Sequence, residues 1–215
     1  MKQRTWLKDD TSINEISIYR DFLSLLQKQD EWQGEIKENH IDNSITLICG
    51  SIMSLEEFLS QKDHSAMEYE EVEQLILDIG LQSMVLGTYK KGIFFLNLED
   101  ILVIDKKFFL LCDLRHVLDI TKKEKLILSY PMKINKSDQR FVAPEVEKGL
   151  ESKVLPFYAS ITVGYYSLAK ICIHCLDLSD GLALSDGLGP IKGSKMYFFL
   201  ERCLAEEEKR YFLYL

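Results

Sequence analysis

Apolar positions recur along the chain with two periods, one helical and one alternating, and these divide it into a short series of elements. Between residues 13 and 27, Ile16, Tyr19, Leu23 and Leu26 fall at helical spacing. Ser12, with Glu15 three residues on, has the form of a capping box for that helix. Residues 28–43 are polar and read as loop, with a weak strand around 31–36. The run S-I-T-L-I-C at 44–49 predicts a short buried strand stopped by Gly50. Ser54 caps a short helix over 54–59, and a polar link follows. The longest periodic stretch predicts a helix over 69–89. Val72, Leu75, Ile76, Ile79 and Leu86 form one stripe, and Leu81, Met84 and Val85 widen it, which predicts burial on most sides. Lys90, Lys91 and Gly92 close that helix. Two apolar runs, 101–104 and 108–112, flank Asp105-Lys106-Lys107 and predict a hairpin. Its open end carries two carboxylates, Asp100 and Asp113. Residues 114–141 form a long segment with a basic run at 122–125 and a short apolar stretch at 126–128. A second buried helix is expected over 156–176, then the tandem L-S-D-G-L at 178–182 and 184–188 as loop, and a final helix over 195–204.

Composition narrows the function. With 215 residues, 47% of them hydrophobic, the chain is long enough to bury the core of one domain or one and a half. A net charge of −8 without a basic stripe argues against nucleic acid. The apolar runs are too short to cross a membrane, and M-K-Q-R-T-W-L-K-D-D has no apolar signal core. Five cysteines, an odd number without framework spacing, fit reduced thiols. The expectation is a cytoplasmic protein.

The order of parts resembles the protein kinase fold: short helix, long helix, polar loop, hairpin ending in Asp113, long segment, Ala143-Pro144-Glu145, buried helix. The A-P-E motif is intact, and the resemblance implies that Glu145 forms a structural ion pair with Arg210. The fold class expected is α+β, kinase-like. A reduced N-terminal lobe would occupy 1–50 and a mainly helical C-terminal lobe 51–215. Asn14–Leu23 resembles the regulatory helix with Glu15 at its ion-pair position, and Thr5-Trp6-Leu7-Lys8 resembles the strand that supplies its lysine. On that resemblance Lys8 and Glu15 are the cofactor-binding candidates. No Gly-rich phosphate loop precedes the helix.

The catalytic motifs, by contrast, depart from the kinase pattern. The catalytic loop falls on Ile93-Phe94-Phe95-Leu96-Asn97-Leu98-Glu99-Asp100, with Phe95 at the catalytic aspartate and Asp100 at the metal-binding asparagine. The D-F-G motif falls on Asp113-Leu114-Arg115, which keeps the acid and loses the glycine. Gly164 stands where the following helix usually has the aspartate that steadies the catalytic loop. No catalytic residue is therefore assigned. Asp100 and Asp113 are either metal ligands, holding Mg²⁺ and an ATP phosphate, or acids that cap backbone N–H groups; the second reading is preferred and no cofactor is expected. Phe94 and Phe95 are read as core, or as plugs of a nucleotide cleft. Cys172, His174 and Cys175 have metal-ligand residue types but read as core, for want of a second cluster. The glycines at 187–193 lack the strand and ending of a phosphate loop.

The function expected is a pseudokinase that acts as a regulatory or interaction module for a protein partner, such as an active kinase or another signalling protein. The alternatives are a divergent serine/threonine kinase or ATP-binding protein, and a non-catalytic kinase C-lobe interaction domain.

Overall fold

A computed structural model describes residues 1–6, 13–62, 65–178 and 188–214. Lys8, the Ser12 cap and most of the tandem L-S-D-G-L lie outside the described residues. Three small antiparallel sheets and six helices make up the described fold, and each sheet meets a different part of the site.

The first sheet has the order β1 (Lys2–Trp6), β3 (Ser44–Cys49), β2 (Glu35–Asn39). Helix α1 (Ile13–Gln27) packs on it and buries Ile16, Ile18, Tyr19, Phe22, Leu23 and Leu26. Strand β2 lies later than the sequence suggests. Its one apolar residue, Ile36, pairs with Leu47, so the neighbouring strand sets its place and its own pattern does not.

The second sheet has the order β4 (Ile52–Ser54), β6 (Ile101–Ile104), β7 (Phe108–Leu111). Every residue of β6 and β7 is buried. In the hairpin turn Asp105 and Lys106 both take positive φ, 52° and 59°, and the Lys107 N–H donates to the Ile104 carbonyl at 3.0 Å. This is the conformation of a primed turn, and Asp tolerates it. The Asp105 carboxylate also accepts the Ser51 N–H at 2.8 Å, which ties the turn to the segment leading into β4. That segment ends in helix α2 (Leu55–Ser60), whose capping box is closed in both directions between Ser54 and Glu57.

Helix α3 (Tyr69–Thr88) covers the outer edge of β7. Its stripe of Val72, Leu75, Ile76, Ile79 and Leu86 is buried, but the helix is not buried on most sides. Leu77, Leu81 and Met84 face solvent, Met84 at 72% exposure. The inward positions go to Asp78 and Gln82, which do the work of a further strand. Asp78 Oδ2 accepts the Phe109 N–H at 2.8 Å, and Gln82 Oε1 accepts the Leu111 N–H at 2.8 Å. Gln82 Nε2 donates to the Phe109 carbonyl at 2.8 Å. A strand edge buried under a helix needs such partners, and hydrophobic periodicity cannot report them.

Burial raises the Asp78 carboxyl from 3.8 to about 6, against the opposing hydrogen bonds from Phe109 and Gln74. The folded state therefore holds a proton that the unfolded chain releases between pH 4 and 6, and stability falls as pH rises through that window. We expect a loss of about 2–3 kcal/mol between pH 4 and 6, measured by urea unfolding. Asp78→Asn is expected to flatten that slope; an unchanged slope in the variant would assign it to other groups.

The third sheet has the order β10 (Phe157–Ser160), β9 (Lys125–Leu128), β8 (Val117–Ile120), β5 (Lys91–Ile93). It corrects two expectations. The segment after Asp113 is a strand pair whose turn carries the basic run, with Glu124 at φ 55°. The helix expected over 156–176 begins only at α5 (Val163–Cys175), because F-Y-A-S pairs with β9 and turns Ala159 inward. Helices α4 (Pro144–Glu151) and α6 (Lys195–Cys203) complete the described set. No helix among the described residues is long and apolar enough to cross a membrane.

Candidate functional site

The site is built on the segment between β5 and β6. Helix α5 lies hard against it. A Cβ on Gly164 would come within 2.6 Å of the Ile93 carbonyl oxygen, so only glycine allows this approach. One turn on, the Ser167 hydroxyl accepts the Leu96 N–H at 2.8 Å and donates to the Leu96 carbonyl at 3.2 Å. These two residues hold the segment from the helix. Phe94 and Phe95 are each 1% exposed, in a second apolar cluster with Leu118, Leu126, Val146 and Val163. They are core, and neither lines the clefts described below.

A single 3-10 turn, Leu98–Asp100, then leads into β6. Asn97 and Asp100 cap it reciprocally: the Asp100 N–H donates to Asn97 Oδ1 at 2.9 Å, and the Asn97 N–H to Asp100 Oδ2 at 3.1 Å. The same Asp100 oxygen is 2.9 Å from His116 Nδ1. The His116 ring lies on Phe95, centroids 3.9 Å apart at 33°. The other Asp100 oxygen, Oδ1, is buried without a hydrogen-bond partner among the described residues. Its cation is Arg115, whose Nη2 lies 4.0 Å away.

Asp113 follows β7. Its Oδ1 accepts the Arg115 N–H at 2.8 Å, and its Oδ2 accepts Arg115 Nε at 2.5 Å. Burial works to lower the pKa of Arg115, but the carboxylates of Asp113, Asp100 and Glu99 outweigh it and hold the value above its usual one. The Tyr19 hydroxyl donates to the Cys112 carbonyl at 2.8 Å, which ties α1 to the residue before Asp113. Asp113 opens onto a cleft of about 700 Å³ that Arg4, Trp6, Glu15, Tyr19 and Arg115 also line. A neighbouring recess of about 540 Å³ shares Arg4, Asp113 and Arg115 and reaches Ile52, Met53 and Leu102.

The structure thus brings Asp100, Asp113 and Arg115 together and sets Glu15 in the wall of the same cleft. Both carboxylates cap backbone N–H groups. A magnesium ion does not fit them as they stand, since both oxygens of Asp113 and one of Asp100 are already engaged and a guanidinium faces the last. Among the described residues no group of three or more His, Cys, Asp or Glu could hold a metal ion. Cys172 and Cys175 are wholly buried, and burial raises the pKa of both thiols. The described part of 187–193 is a 3-10 turn, Gly189–Ile191.

Away from the cleft, Arg210 Nη1 donates to Glu145 Oε1 at 2.5 Å and Nη2 to the Ala205 carbonyl at 3.2 Å. The guanidinium also stacks 4.9 Å from the Tyr166 ring. Sequence reasoning missed Arg115, His116 and Ser167 as site residues, and read Gly164 only as the loss of an aspartate. The Asp-x-Arg spacing of 113–115 was a usable signal for Arg115. Ser167 is brought in by a distant element and leaves no local mark.

This arrangement of sheets and helices is a kinase-like fold. No family model matches the chain, and no curated protein matches it. Among solved structures it is similar to one described as "Structure of vaccinia related kinase 3", with 12% identity over 99% of this chain and 75% of that chain and a TM-score of 0.57. At that identity the likeness shows a shared fold and nothing about activity.

Proposed function

We propose that the protein is a pseudokinase: a kinase-like chain with a reduced N-terminal lobe at 1–50 and a C-terminal lobe at 51–215 that does not transfer phosphate. It acts as an interaction or regulatory module for a protein partner, an active kinase or another signalling protein, in the cytoplasm. One observation carries the reading. Phe95, at the position of the catalytic aspartate, is 1% exposed and packed against His116. A phenyl ring there neither accepts a hydroxyl proton nor orients the hydroxyl for attack. Phe94 and Leu96 beside it are equally buried and apolar. The five free, buried thiols suit a reducing compartment.

The expected result is no phosphate transfer from ATP, to itself or to a generic protein substrate, in a radiolabel assay with Mg²⁺. Transfer that disappears in Asp113→Asn would overturn the reading. A second reading, a divergent kinase or ATP-binding protein, is favoured by the cleft of about 700 Å³ that Glu15 and Asp113 line. An ATP-dependent rise in melting temperature without transfer would support nucleotide binding alone.

A further inference from the structure

The buried Asp100 and the cleft-lining Asp113 are two carboxylates that call for a neutralising positive charge. Here the neutralising group is part of the chain. Arg115 donates to Asp113 twice, from its backbone N–H and from Nε, and so uses both oxygens of that carboxylate. Its Nη2 faces Asp100 Oδ1, a buried oxygen that accepts no hydrogen bond among the described residues. Asp100 is 1% exposed and lies where an uncompensated charge is costly. Glu99 adds to the field that holds Arg115 charged. We infer that Arg115 is an internal counter-ion that closes the Asp100–Asp113 pair to divalent cations.

A hard divalent ion would need the oxygens that Arg115 occupies and would stand beside its positive charge. The arginine side chain is 67% exposed, so it competes for the carboxylates from the solvent side of the cleft, and its removal leaves that side open. The inference does not rest on the absence of phosphate transfer. A wild-type protein that transfers phosphate yet shows no saturable Mn²⁺ binding would sink the proposed function and leave this one standing.

Manganese titration followed by electron paramagnetic resonance of the free ion tests it. Wild type is expected to show no saturable site in the millimolar range, and Arg115→Gln a site at least about tenfold tighter. That gain should vanish when Asp113→Asn is added. Arg115→Lys, which keeps the charge, should behave as wild type. Saturable binding to wild type that Asp113→Asn abolishes would overturn the inference without any Arg115 variant. So would a lysine variant that binds like the glutamine one, or a gained site that survives loss of Asp113.

Discussion

Glu145→Ala is expected to destabilise the fold by about 3–5 kcal/mol, the range for stripping the partner from a buried charge. Arg210 is the buried member, with 2% of its side chain exposed against 23% for Glu145. Without Glu145 it keeps, among the described residues, the Ala205 carbonyl and the Tyr166 ring, neither of which carries a full charge. The asymmetry gives the test its control. Arg210→Met leaves a carboxylate that reaches water, so it should cost less, and adding it to Glu145→Ala should recover part of the loss. Urea unfolding of the four proteins measures this. A Glu145→Ala variant within about 1 kcal/mol of wild type, or a double variant worse than the sum of its parts, would mean that the pair is not held as described.

Gln82→Leu is expected to cost about 3 kcal/mol in the same measurement. It leaves the Leu111 N–H and the Phe109 carbonyl without their Gln82 partners, at about 1–3 kcal/mol each. The neighbouring Asp78 bond to Phe109 remains and limits the damage to one stretch of the edge. Because this edge belongs to the hairpin that ends at Asp113, protection of the Leu111 amide from hydrogen exchange should fall with stability. A leucine variant as stable as wild type would show that the edge finds other partners.

The elements with strong internal patterns were legible in sequence. Helix α1 and strand β3 fall where periodicity puts them, because their apolar residues point to one core. The hairpin of β6 and β7 was legible too, since two apolar runs around a charged turn have few other arrangements. Helix α3 was legible in extent and in its main buried stripe, but not in how far round that stripe extends. Leu81 and Met84 look inward-facing by composition, whereas Asp78 and Gln82 take the inner positions because β7 needs hydrogen bonds there. Strands β8, β9 and β10 were missed because their short apolar runs are interrupted by exposed or half-buried residues, and β10 is made by pairing with a segment about 30 residues earlier. For the site the division is similar. Asp100 and Asp113 were legible as the acids at the open end of the hairpin, while Ser167 arrives from another element and could not be.

The tie between α5 and the segment after β5 also bears on how the chain reaches its final form. The hydrogen bonds from Leu96 to Ser167 join residues 71 apart in sequence. The entropy of closing so long a loop is lost before those bonds repay it. The segment at 93–97 therefore cannot be finished by the residues around it. On a ribosome its shape waits until Ser167 has been made.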